Sequence, residues 1–250
     1  MDPLFSMIEI EVNSQCNRTC WYCPNSVTTR KENGEMDPVL YEKLMRQLQS
    51  IDFSGRLSFH FYGEPLLCSN IDLFVGLTKT YIPKAKPIMY TNGDLLDRNR
   101  VETLLSLGLQ KFIVTQHVGA KHKFKEVYEQ LPEEQQQAIV YLHHSDLVLS
   151  NRGGILSRIP ELENKQHICM VPSTLAVVTV QGNVLPCFED FHQKYTMGNI
   201  NDRHIRDIWY GGEFAAFRKM LKEGQRNKSE ICKSCNNISV QSTAEYDYVL

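Results

Sequence analysis

No stretch of the chain approaches the 18 or so consecutive apolar residues that a membrane-crossing helix needs. The opening segment, MDPLFSMIEIEV, has neither the basic flank nor the small-residue cleavage site of a secretory leader, so a cytoplasmic protein without a membrane partner is expected. An excess of positive charge is missing as well. With 27 Lys+Arg against 29 Asp+Glu the formal charge is -2, too little field to hold a polyanion by counterion release, and nucleic acid is not an expected partner. Repeats and low-complexity tracts are absent, and the one short basic stretch, Arg226 to Lys228, reads as a solvated loop. Hydrophobic residues at 42% and charged residues at 22% suit an ordinary globular chain with a real core. What the sequence does hold is eight cysteines in 250 residues. A reducing compartment makes them poor disulfide candidates, so metal or redox chemistry comes first.

The first 145 residues alternate short apolar runs with stretches of helical period, the pattern of repeated βα units. Strands are expected at Ser6 to Val12, Leu57 to Phe61, Pro87 to Tyr90, Lys111 to Thr115 and Ala138 to Tyr141, with helices at about Pro38 to Gln49, Asn70 to Lys79, Arg98 to Leu107 and His122 to Gln130. About five parallel strands and four helices fall short of a closed eight-fold barrel. The expected fold is therefore α/β, an open, partial TIM-like barrel with its active site at the C-terminal strand ends. After Ser145 the rhythm changes to a Gly-containing loop (Ser150 to Gly154), a hairpin from Leu175 to Cys187 turning at Gln181 to Asn183, and two helical stretches, Ile205 to Tyr210 and Glu213 to Glu223. This divides the chain into a barrel, 1–145, and a small C-terminal unit, 146–250.

Cys16, Cys20 and Cys23 form C-x3-C-x2-C directly after the first strand. Zinc loops usually supply two ligands as C-x2-C and find the other pair elsewhere, whereas three thiolates this close suit three corners of a four-iron cluster with one iron open. The remaining set, Cys169, Cys187, Cys232 and Cys235, is complete in itself; spacing alone leaves a structural Zn(Cys)4 site open there. Cys68 is left over and reads as a buried thiol.

The run Cys16-Asn17-Arg18-Thr19-Cys20-Trp21-Tyr22-Cys23 resembles the signature of the radical S-adenosylmethionine superfamily. That resemblance implies a four-iron, four-sulfur cluster whose open iron chelates S-adenosylmethionine and cleaves it to a 5'-deoxyadenosyl radical. By the same resemblance Gly63 and Glu64, after the second strand, correspond to the family's Gly-Glu motif, Glu64 holding the methionine ammonium and Gly63 letting the backbone approach. Tyr22, Thr91, Asn92, Thr115, Gln116 and His117 are further cofactor-lining candidates. The Gly182-x4-Cys187 hairpin and the distal Cys232-x2-Cys235 resemble the Twitch auxiliary domain, the shortened relative of SPASM, which implies a second four-iron cluster. Ligation wholly by protein leaves it no vacant iron, so its role would be to move an electron.

Across the chain, from Phe5 to Leu250, the sequence is similar to the radical S-adenosylmethionine dehydrogenases of aminocyclitols in aminoglycoside antibiotic biosynthesis. The resemblance implies oxidation of the C3 hydroxyl of a monoamino cyclitol to a ketone, with a flavodoxin- or ferredoxin-type protein as electron donor. A small, cationic, hydroxyl-rich substrate needs a carboxylate and planar donors in its pocket. Arg152, on the joining loop, is the candidate for positioning the reacting hydroxyl; Glu189 and Tyr62 are further substrate-binding candidates. His143 and His144, after the fifth strand, read mainly as structural, and Trp21 and Phe188 as shields for the metal. Two other readings compete: a peptide-modifying radical enzyme of the sulfatase-maturation type, and a zinc-stabilised module without catalysis.

Overall fold

The computed structural model describes residues 3–30, 32–119, 123–163 and 166–237. The strands are β1 (Met7–Ile10), β2 (Arg56–Ser58), β3 (Lys86–Thr91), β4 (Lys111–Gln116), β5 (Ile139–His143), β6 (Leu175–Val178), β7 (Asn183–Leu185) and β8 (Gly198–Asn199). They form one sheet in the order β5-β4-β3-β2-β1-β6-β7-β8. Every pair from β5 to β6 is parallel, and β7 and β8 are antiparallel additions. The helices are α1 (Pro24–Val27), α2 (Pro38–Ser50), α3 (Ile71–Tyr81), α4 (Arg98–Leu107), α5 (Phe124–Gln130), α6 (Glu133–Gln137), α7 (Val171–Thr174), α8 (Ile205–Trp209) and α9 (Gly212–Lys222). Among the described residues no helix is long and apolar enough to cross a membrane.

Strand alternation sorts the side chains between two faces. Ile8, Ile10, Leu57, Phe59, Met89, Phe112 and Val114 join the core under the helices, while Ile88 and Ile113 pack separately on the opposite, interior face. Glu9, Arg56, Ser58 and Thr115, buried and out of phase with that core, take the same interior face as Ile88 and Ile113. Helix α2 starts where Pro38 needs no donor and Asp37 Oδ1 accepts from Val39 N–H at 2.7 Å; it buries Leu40, Tyr41, Leu44, Met45 and Leu48. Each such side chain contributes roughly 1.5–3 kcal/mol on leaving water. Helix α4 is capped by Asp97 and ends at Gly108, whose φ of 114° is the left-handed stop that glycine favours.

The architecture follows the sequence expectation with one correction. Strand β6, read as an arm of the auxiliary hairpin, is also a sixth parallel strand, pairing β1 from Met7↔Leu175 to Ile10↔Val178. Leu175, Ala176, Val177 and Val178 are all buried, a run without polar alternation that fits a strand covered on both faces. The hairpin itself turns at Gly182, φ 85°, as expected. Helix α5 starts at Phe124; its expected start, His122, and the C-terminal residues from 238 onward lie outside the described residues.

Candidate active site

The loops after the barrel strands surround a cavity of about 320 Å³. The loop after β1 brings Cys16, Cys20 and Cys23 into its wall, with Glu64 following β2, Thr91 and Asn92 at the end of β3, and Thr115 and His117 at the end of β4. Gly63 is required by close packing within the chain itself: a Cβ there would stand 1.9 Å from the Asn13 carbonyl oxygen. Gly63 thus has a reason within the chain itself, the close approach of two loops, while it also lines the cavity. Glu64 N–H donates to the Gln15 carbonyl at 2.7 Å, and Asn13 Nδ2 donates to the Glu64 carbonyl at 3.0 Å, so the cysteine loop and the Gly-Glu turn are locked together.

The Glu64 carboxylate is 3% exposed and accepts from Thr91 Oγ1 (2.7 Å), Asn92 N–H (2.9 Å) and Leu66 N–H (3.1 Å). Burial raises its pKa while those donors oppose the rise. Asn92 Nδ2 donates to Asn17 Oδ1 at 2.8 Å and lies 3.9 Å from Cys16 Sγ. Arg18, within the cysteine run, forks onto Asp94 at 2.7 and 2.5 Å; neither was recognised from sequence as part of the site. Tyr22 O–H lies 2.6 Å from His117 Nδ1, pairing two candidates at the cavity wall, and burial pushes the Tyr22 phenol up to about 12. Gln116 falls on the other face of β4, accepts from Tyr141 O–H at 3.3 Å and does not line the cavity. That corrects the reading that grouped it with Thr115 and His117. His143, the last residue of β5, and His144, in the turn after it, are likewise absent from the wall.

The cavity wall is more polar than the sequence reading anticipated. Glu9, from β1, His60 and Tyr62, after β2, and Tyr90, from β3, face Arg152 there. Burial pushes Glu9 up to about 7, against the pull of Arg56 and Arg152. Burial, with the same two arginines, drives His60 down to about 3, so its imidazole is neutral at neutral pH; its ring lies 4.4 Å from that of Tyr90. The signal for Glu9 was available: a carboxylate inside the otherwise apolar strand Met7–Ile10 has to face a polar cavity or a partner. Arg152 adopts φ 52°, with Gly153 and Gly154 at 64° and 91°, a left-handed run at the point where Arg152 meets the cavity wall. Its guanidinium stands 5.5 Å over the Tyr62 ring and 3.6 Å from Glu189 Oε1. Tyr62 O–H donates to the Phe188 carbonyl at 2.6 Å. Glu189, a substrate-binding candidate, stands against Arg152 and off the main cavity wall: 2% exposed, it accepts from Ser150 Oγ (2.7 Å) and Asn237 Nδ2 (2.8 Å) and lines the second cysteine pocket. Phe188 lines the main cavity, whereas Trp21 is 43% exposed and gives little shielding.

Cys169, Cys187, Cys232 and Cys235 ring a small, largely apolar pocket on the other side of Glu189. Glu189 N–H points to Cys187 Sγ at 3.3 Å and Asn237 N–H to Cys235 Sγ at 3.4 Å. Burial pushes Cys232 and Cys235 up to about 12 and Cys23, in the first set, up to about 11. Thiols in such surroundings keep their protons unless a metal core compensates the thiolate charge, which is the donor chemistry of an iron–sulfur cluster. Among the described residues no three His, Cys, Asp or Glu side chains close round a single ion, and all eight cysteines are free of disulfides. Cys68 is the buried thiol expected. Arg226 is not: 1% exposed, it lines the four-cysteine pocket rather than a solvated loop.

Residues 10–148 match the model of the radical SAM superfamily, and residues 169–236 that of the SPASM iron-sulfur cluster-binding domain. The chain is similar to the S-adenosyl-L-methionine-dependent 2-deoxy-scyllo-inosamine dehydrogenase of Niallia circulans, 69% identical over 250 residues covering 100% of both. At 21% identity, over 95% of this chain and 88% of the other, it is similar to the tungsten-containing aldehyde ferredoxin oxidoreductase cofactor-modifying protein of Pyrococcus furiosus. Its structure is similar to that of BtrN in complex with AdoMet and 2-DOIA, with a TM-score of 0.95, 69% identity and 100% coverage of each chain. It is also similar to BtrN in an open conformation, with a TM-score of 0.81, 59% identity and coverage of 99% and 100%. The loop carrying Arg152 lies between the two matched families.

Proposed function

The chain belongs to the radical S-adenosylmethionine superfamily, and from that premise we propose that it is an S-adenosylmethionine-dependent dehydrogenase of 2-deoxy-scyllo-inosamine, oxidising the C3 hydroxyl to a ketone in aminoglycoside antibiotic biosynthesis. Full-length identity to a dehydrogenase of that name supports the reading. The observation that carries it is the layout of the cavity: one cysteine set, Glu64, Glu9 and Arg152 line it together, and the second cysteine set lies beyond Glu189, which stands against Arg152.

In this reading Cys16, Cys20 and Cys23 hold the first four-iron cluster and Cys169, Cys187, Cys232 and Cys235 the second. When bound, the first cluster and S-adenosylmethionine supply hydrogen-atom abstraction from an unactivated C–H bond, and the second cluster takes up the electron that remains. Glu64, held ready by Thr91 and the Asn92 amide, receives the cofactor's ammonium group; Tyr22, Asn92, Thr115 and His117 line its berth. Arg152 presents a planar fork to the reacting hydroxyl. A guanidinium stays charged and so is no base; it orients the oxygen and stabilises negative charge developing there. Glu9, with a pKa near neutrality, offers the cationic substrate a carboxylate and the released proton an acceptor. Tyr62, tied to the Phe188 carbonyl, holds Arg152 from below.

We place the change from barrel to auxiliary unit at 145/146, ahead of the loop that carries Arg152. The protein works in the cytoplasm with a flavodoxin- or ferredoxin-type electron donor and without nucleic acid. Incubating the reduced, reconstituted protein anaerobically with S-adenosylmethionine and the aminocyclitol is expected to give 5'-deoxyadenosine and ketone together. Cofactor cleavage without ketone would refute the substrate, and zinc without sulfide would make the chain a non-catalytic module.

A further inference from the structure

Arg226 is among the larger fully buried side chains of the described structure, and it sits against the second cysteine pocket. All its hydrogen bonds among the described residues go to main-chain carbonyls: Nε to His167 at 2.9 Å, Nη1 to Cys235 at 3.3 Å, and Nη2 to Asn237 at 2.9 Å and Ile168 at 3.5 Å. Carbonyls satisfy its N–H groups but, among the described residues, leave its positive charge without an ion-pair partner. Burying a charge is expensive unless something nearby needs it. The carbonyls come from the two segments that carry Cys169 and Cys235, so the guanidinium clamps both sides of the pocket at once. Glu189, the nearest anion on the pocket wall, lies across Asn237, whose Nδ2 it accepts at 2.8 Å.

We propose that Arg226 is a positioning residue that sets the reduction potential of the auxiliary cluster, its buried charge making that cluster the readier acceptor of the substrate's second electron. The inference rests on the reading in which the four cysteines hold an iron–sulfur cluster. Such a cluster with four thiolates is anionic and gains a further negative charge on reduction, so a cation fixed in a low-dielectric wall favours the reduced state. Cys169, Cys187, Cys232 and Cys235 line the same small pocket as Arg226, which places the ligands within the field of its charge. The N–H groups of Glu189 and Asn237 act on the sulfurs in the same sense, and Arg226 holds the latter residue through its carbonyl.

The test uses the full chain with Cys16, Cys20 and Cys23 replaced by Ala, so that electron paramagnetic resonance during a redox titration reports the auxiliary cluster alone. R226Q keeps polar contact with the carbonyls and removes the charge; R226K keeps the charge. R226Q is expected to lower the equilibrium constant for reduction at least tenfold, about 59 mV for a one-electron couple, while R226K stays close to its parent. Equal displacement of both variants, no displacement of R226Q, or loss of auxiliary iron and sulfide from both would make the arginine a scaffold only and overturn the proposal. Absence of iron and sulfide from the parent of this series would instead overturn the cluster reading beneath it.

Discussion

Replacing Glu9 by Gln should make the protein's stability less sensitive to pH, in a direction opposite to that of most carboxylates. Glu9 is raised from 4.5 to about 7 by burial in the barrel interior. The folded chain therefore holds this proton more tightly than the unfolded chain. The resulting stabilisation is complete below pH 4.5, is lost as the pH rises toward 7 and is gone above it. At about 1.4 kcal/mol per pH unit the whole effect is roughly 3 kcal/mol, of which about 1 kcal/mol falls between pH 6 and 8. For a domain of this size 1 kcal/mol corresponds to roughly 2–4 °C in Tm. Anaerobic thermal unfolding of the loaded parent and of E9Q at the two pH values gives the answer as a double difference, in which every other titrating group cancels. The variant is expected to gain about 3 °C on its parent between pH 6 and 8. A gap that does not change with pH would refute the burial of an ionisable carboxyl at this position. The same titration should appear in catalysis: KM for the cationic substrate falls as pH rises through 7 in the parent and stays level in E9Q.

Gly63→Ala places a methyl group 1.9 Å from the Asn13 carbonyl, and since both are backbone-anchored the cysteine loop must give way. Iron analysis should show the first cluster lost, about four irons, and the second retained. Arg152→Lys keeps the charge but not the planar fork; kcat/KM for ketone formation should fall about 100-fold while 5'-deoxyadenosine is still released. Replacing Cys16, Cys20 and Cys23 by Ala should abolish cofactor cleavage, whereas Cys169→Ala and Cys187→Ala should depress ketone far more than hydrogen abstraction, measured by deuterium transfer into 5'-deoxyadenosine. Equal loss of both products in the latter pair would remove the electron-acceptor role.

Much of this was legible in the chain because the signals were local. Helix α4 runs from Arg98 to Leu107, as its periodicity predicts, since Asp97 and Gly108 punctuate both ends. The seven cysteines divide into two pockets as their spacing divides them. Readings failed where the deciding contact was remote. Gln116 ends β4 and His117 follows it, yet only His117 lines the cavity. Glu189 follows Cys187 closely, yet its place against Arg152, far away in sequence, is set only by the fold. Arg226 looked like surface charge beside Lys228 because only the folded pocket reveals the carbonyls that surround it. Gly63 was rightly singled out, but the loop that requires it begins at Asn13.

The pairing of β1 with β6 imposes an order on synthesis. As the chain leaves the ribosome, β1 can find β2 early, but its other edge stays bare until Leu175–Val178 has been made. The loop that springs from β1 carries Cys16, Cys20 and Cys23. Its footing is thus completed only when the hairpin leading to Cys187 is emerging, so the first cysteine set gains its full support only as the segment leading to the second is made.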